Sequence, residues 1–275
     1  MLTISSLPEE IGKLAGAIPA FPRVVSQLLD MVEDEGASLD RLVRMAKGDP
    51  VILAQILAMA NRIRRIHAQP DISDPFLAAS LIGMNQLRRV VVTVAMNRFS
   101  DSHANASFMR AHSQAVAIVA QELAFMVGVS PEGAYVLGIL HDIGQLGFHV
   151  LDGELFNAIY AESARDGRLI EREREAFGLD HAELGGALAE YWMLPADYVA
   201  SIRMHHDPLI ANGRLQAVIN IAESLARALD IPSSPKNRLT RINQPALQLL
   251  GIEWDSPAMA DLYGRCRSRF RFAMA

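Results

Sequence analysis

Apolar residues recur at helical spacing along nearly the whole of this chain, which argues for helices and against a sheet architecture. Residues 22 to 33 place Val24, Val25, Leu28, Leu29 and Val32 on one stripe that opens at Pro22. Ser38 then precedes a short helix carrying Leu39, Leu42, Val43 and Ala46. Asp49-Pro50 reads as an N-cap followed by a proline at the first helical position, with Ile52, Leu53, Ile56, Leu57 and Ala60 on the core face beyond it. Ser130-Pro131-Glu132 repeats that start signal, and Asp180 with Glu183 forms an aspartate version of a capping box. The β-branched run VVVTVAM at 90 to 96 permits a strand. It also continues the stripe from Leu81 through Leu87, so a buried helix is expected there.

The expected fold is all-α, in two helical lobes: an N-terminal lobe over 1–100, a second bundle over 101–230 and a C-terminal appendage over 231–275. The polar stretch SDSHANAS around 100 to 107 suggests the first boundary, and IPSSPKNR at 231 to 238 the second. The tail alternates Arg265, Arg267, Arg269 and Arg271 with Cys266, Ser268, Phe270 and Phe272, a period of two that suggests an amphipathic strand or an ordered basic tail.

Composition bounds the function. A net charge of −5 gives no global electrostatic reason to bind nucleic acid or an anionic membrane. One cysteine excludes an internal disulfide framework and fits a reducing compartment. The N-terminal residues lack the basic and apolar regions of a signal peptide, and no stretch approaches the roughly 20 apolar residues of a membrane helix. A soluble, cytoplasmic protein is expected. No phosphate-cradling glycine loop, nucleophile elbow or zinc-ribbon cysteine spacing occurs.

Against that background, five of the eight histidines stand out: His112, His141 beside Asp142, His181, and the pair His205–His206. Imidazole nitrogens with a carboxylate suit a borderline transition metal such as zinc, iron or manganese. Each histidine also has a structural reading. His112 shares a buried stripe with Val116, Val119 and Leu123, where a hydrogen-bonded core histidine is common. Side chains at adjacent helical positions point about 100° apart, so His141 and Asp142 can converge only at a helix end or kink. His181 follows a cap, with Gly185 one turn on making room beside it, and His206 falls on an apolar face with Val199 and Ile202. Together, such inward imidazoles are costly without partners or a cation.

The order His112…His141-Asp142 resembles the HD superfamily of metal-dependent phosphohydrolases. Residues 18 to 61, with a proline-bracketed start, "SLDRL" and a "DP" before a helix ending in "AN", resemble the opening helices of its HDOD signalling branch. ISDPFLAASLIGMNQLRRVVVTVAM, LGILHDIGQL, HAELGGALAEYWMLP and IRMHHDP extend the resemblance from about 15 to 230. It implies an all-α fold, a metal set of His112, His141, Asp142, His181, His205 and His206, and Glu223 where the superfamily has its last metal-binding aspartate. Glu223 also has a structural role open to it, pairing with Arg227 one turn later.

The departures concern catalysis. Relatives that hydrolyse cyclic dinucleotides carry HDIGK, whereas Gln145 holds the fifth position here, and no GYP-containing segment follows His206. The resemblance therefore implies a regulatory module acting through a signalling protein partner, with a vestigial or metal-occupied site. The alternative is a metal-dependent phosphohydrolase acting on a nucleotide or cyclic dinucleotide. A third reading is a sensor that binds such a nucleotide without turnover.

Overall fold

The computed structural model describes residues 50–100, 106–192, 194–207, 213–232 and 242–274, with positions 11, 12, 14, 39 and 43. The stripe expected at 22–33, most of that at 38–46, the Asp49 cap and most of both expected boundaries lie outside the described residues. Among the described residues every regular element is a helix. The chain divides into two compact units, Phe21–Arg98, and Met1–Ala20 with Phe99–Ala275.

In the smaller unit, α1 (Pro50–Ile66) buries Ile52, Ile56 and Ala60, one residue per turn. The Asn61 side chain donates to the Ile72 carbonyl at 2.9 Å and accepts from the Ile72 N–H at 2.7 Å. This pair closes the loop that follows α1. Asp74 accepts from the Leu77 N–H at 2.8 Å and caps α2 (Pro75–Ser100). Gly83 interrupts α2 with φ 79° and ψ 163°, a conformation closed to residues with a Cβ. Beyond the break Leu87, Val90, Val91, Val92 and Val94 are all buried, so the β-branched run is helical. Burial around most of the helix explains why that run shows no polar face.

The larger unit contains α3 (Ala106–Val127), α4 (Pro131–Leu140), α5 (Ile143–Asp166), α6 (Leu169–Phe177), α7 (His181–Tyr191), α8 (Ala196–Arg203), α9 (Arg214–Ala228), α10 (Gln244–Leu250) and α11 (Pro257–Ala273). Its central helix is α3, in which every side chain from Ala115 to Ala120 is buried. Around it pack α4, α9 and α11, while α7 packs on α5 and α8. A Cβ on Gly138 would lie 2.5 Å from the Ala117 Cα, so glycine lets α4 press its backbone against α3. Both expected caps form: Ser130 accepts from the Gly133 N–H at 3.1 Å, and Asp180 with Glu183 makes a full capping box.

The alternating arginines do not lie on a strand. They belong to α11, which opens at a Ser256 cap and Pro257 and buries Met259, Leu262 and Cys266 at spacings of three and four. That apolar stripe sets the helix. Arg265 and Arg269, four apart on it, both reach Glu122 of α3, at 2.8 and 2.6 Å. Among the described residues no helix is long and apolar enough to cross a membrane.

Candidate metal centre

The larger unit draws all seven candidate ligands together. His112 lies in the second turn of α3. His141 is the C-cap of α4 and Asp142 the N-cap of α5, so a single chain turn separates those helices. Asp142 has φ −95° and ψ 17°, in the sparsely allowed bridge region. This turn lets two adjacent side chains converge where a continuous helix would splay them. His181 is the first residue of α7, and Glu223 lies in α9. His205 and His206 sit in the turn after α8, where helical periodicity has ended. Both face the same group of side chains, and His205 is the more buried of the two.

Two groups form. One contains Asp142, His181, His205 and His206, the other His112, His141 and Glu223, and within each group the ligand atoms lie within 4.8 Å of one another. The Asp142 carboxylate spans both. Its Oδ1 is 3.3 Å from the Nε2 atoms of His181 and His205, and its Oδ2 is 3.4 Å from His141 Nε2 and 3.8 Å from His112 Nε2. Glu223 Oε2 lies 2.9 Å from His112 Nε2 and 3.6 Å from His141 Nε2. Most of these separations exceed a good hydrogen bond. They match neighbouring ligands on one ion: donors about 2.1 Å from a metal stand roughly 3.0–3.4 Å apart.

Ring orientation supports the same reading. The Nδ1 atoms of His141 and His205 sit 2.7 and 2.6 Å from the Gly138 and Ile202 carbonyls, so each ring donates through Nδ1 and turns Nε2 inward. His112 Nε2, His141 Nε2, His205 Nε2, Asp142 Oδ1 and Glu223 Oε2 are buried and lack a hydrogen-bond partner. Five converging orphan atoms are expensive unless a cation receives them. The Nε2 atoms of His181 and His206 approach to 2.7 Å, which requires a proton or cation between them. The residues therefore fit a divalent metal, with Asp142 and His206 at the only partly exposed edge of the set.

The electrostatics follow from burial and mutual charge. Burial disfavours the Asp142 anion, yet His141, His181 and His205 hold its carboxyl well below the usual range. Glu223 is likewise pulled down against burial, by Arg227 and His112. Burial also opposes the His181 imidazolium, but Glu173 and Asp142 raise its pKa well above the histidine norm. His206 moves the other way, held neutral by burial and by His205 and His181. Glu223 divides its two oxygens between the roles the sequence left open. Oε1 meets Arg227 Nε at 2.6 Å, while Oε2 faces the imidazoles.

Two residues beyond the expected set belong to the centre. Gly144 starts α5 against α7: a Cβ there would stand 1.9 Å from the His181 carbonyl oxygen. Glu173 of α6 is fully buried and accepts from His181 Nδ1 at 2.6 Å. Its signal was present but masked. In LIEREREAF only Glu173 and Phe177 are buried, at i and i+4, so one acid of a charge-rich helix occupies the apolar stripe. Gln145, also buried, donates its backbone N–H to the Asp142 carbonyl at 3.0 Å.

The profile of the HDOD domain family matches residues 18–208. An HDOD domain protein of unknown function from Geobacter sulfurreducens has the same fold, with 22% identity, TM-score 0.77, and 96% of this chain and 97% of that one covered. A protein provisionally named a phosphohydrolase, from Shewanella amazonensis SB2B, is 27% identical with TM-score 0.68, covering 96% of this chain and 93% of its own. An uncharacterised protein of Treponema pallidum (strain Nichols) is 24% identical over 205 residues, covering 70% of this chain. The matched segment spans only 39% of that relative's length. With the matched segment holding six of the seven candidate ligands and the helical architecture shared, the chain belongs to the HDOD domain family.

Proposed function

We propose that this chain is a regulatory HDOD module that holds divalent transition metal in its HD centre and passes a signalling state to a partner protein. The observation that carries the metal part is the convergence of five buried ligand atoms without hydrogen-bond partners. His181, His205 and His206 with Asp142 would hold one ion, and His112, His141 and Glu223 with the other Asp142 oxygen a second. The donor set suits zinc, iron or manganese. Family membership and Gln145 in place of the lysine of hydrolytic relatives support the regulatory part.

Elemental analysis of chain purified without a His-tag or chelator tests the metal. The expected result is about two ions per chain, because two donor groups share one carboxylate. Stripping them should lower the melting temperature by several degrees, since saturation at about a hundredfold over Kd contributes roughly 2.7 kcal/mol per site. A metal-free preparation that also takes up none on titration overturns the reading. Partner capture should differ between loaded and stripped chain; equal recovery would remove the link between metal and signalling.

A second reading, hydrolysis of a nucleotide or cyclic dinucleotide, is favoured by the partly exposed edge at Asp142 and His206. Bound metal would supply Lewis-acid polarisation of a phosphoester. The chain itself contributes Asp142, whose two oxygens face both groups, and a partly exposed His206 at the entrance. Phosphodiester turnover that disappears in Asp142→Ala would establish this reading over the first.

A further inference from the structure

We propose that Glu173 is the positioning residue of this centre: it fixes His181 as the Nδ1–H tautomer and thereby aims the Nε2 lone pair at the Asp142–His205–His206 group. This inference rests on the metal reading above and concerns one half of the centre.

The inward rings of the centre are held in two different ways. His141 and His205 need no external anchor, because each places Nδ1 against the carbonyl three residues earlier, Gly138 and Ile202. Those carbonyls exist because both histidines follow a helix. His181 begins one instead, and the chain before it is a turn through Gly178 at φ 88° and the Asp180 cap. A helix's first residue has no preceding helical carbonyl to receive its ring, and its backbone N–H is an orphan donor as well. Glu173 answers both needs with one oxygen: Oε2 accepts from His181 Nδ1 at 2.6 Å and from the His181 backbone N–H at 2.9 Å.

Glu173 is itself held from the apolar side. Phe177, one turn later on the same face, stacks on Phe148 with centroids 4.4 Å apart and an interplanar angle of 20°. Gly178 and the buried Leu179 then return the chain to His181. The remaining acids of α6, Glu171 and Glu175, are exposed. A fully buried carboxylate with a single partner residue is a poor stabilising device. Oriented toward a metal-facing imidazole, it fixes the tautomer, makes the ring a stronger donor and adds negative charge behind the ligand.

The test uses the full chain and zinc titration followed by calorimetry, with 15N spectra of the histidine rings. In zinc-loaded wild type, His181 should read as an Nδ1–H ring bound through Nε2; an Nε2–H ring overturns the proposal without any variant. Glu173→Leu should weaken one of the two zinc equivalents by about 10- to 100-fold and leave the other within about twofold. Glu173→Gln, which keeps an acceptor oxygen, should restore the tautomer and most of that affinity. Two equally tight ions in a folded Glu173→Leu chain would sink the inference while sparing the metal reading. A wild type that takes up no zinc would end both. Should Glu173→Leu fail to fold, the wild-type tautomer and the Gln variant's retained Nδ1–H signal decide the question.

Discussion

The two halves of the centre are built from different materials. The Asp142–His181–His205–His206 half presents three imidazoles and one carboxylate oxygen, with Glu173 behind His181. The His112–His141–Glu223 half has two imidazoles, the second Asp142 oxygen and a glutamate whose other oxygen is tied to Arg227. The first half gathers helix starts and ends, α5, α7 and the turn after α8. The second gathers α3 and α9, whose ligands lie within helices, around the α4–α5 junction. One half is thus backed by a buried anion, the other by a partly exposed cation. Asp142 alone belongs to both.

Removing that shared residue should have the largest effect. Asp142→Ala is expected to abolish both ions, with affinity at each half falling by more than about 100-fold, as read by elemental analysis and titration. Survival of one tight ion would show that Asp142 serves a single half. Next comes Arg227→Met, which strips the cation from behind Glu223. The metal-free chain should lose about 2–3 kcal/mol in urea denaturation, the guanidinium's partial exposure moderating the loss. Metal should recover part of it, and equal losses with and without metal would break the assignment of Glu223 to an ion. The smallest effect is expected from Gly144→Ala, which drives a Cβ into the His181 carbonyl. A net loss of about 2 kcal/mol is expected after alanine's helix propensity is credited, with zinc weakened only in the His181 half. Weakening of both halves alike would mean they do not respond separately.

Much of the architecture was legible because its causes are local. Ser130-Pro131 and Asp180…Glu183 are caps whose donors and acceptors lie within three residues, and both form as expected. The 90–96 run is helical as expected, but the buried stripe it joins starts at Leu87, since Leu81 is exposed and precedes the break at Gly83. The C-terminal arginines misled because charges alternated on residues whose backbone was already committed by Met259, Leu262 and Cys266, and by Glu122 more than a hundred residues away. Phase alone did not single out His205, because helical periodicity ends at Arg203, before the turn that carries both histidines.

Composition and spacing by themselves established a helical chain with an unusual series of inward histidines, and the motif order identified its family. Those properties depend on residue type and on neighbours a turn or two away. Which carboxylate oxygen faces which imidazole, and that Asp142 spans two groups, depended on how six helices, α3, α4, α5, α7, α8 and α9, come together in three dimensions. So did the role of Glu173, which in sequence is one of three acids on a charged helix. A buried acid and an exposed one are the same letter; only packing, through the Phe177–Phe148 stack and the turn at Gly178, places one of them against His181.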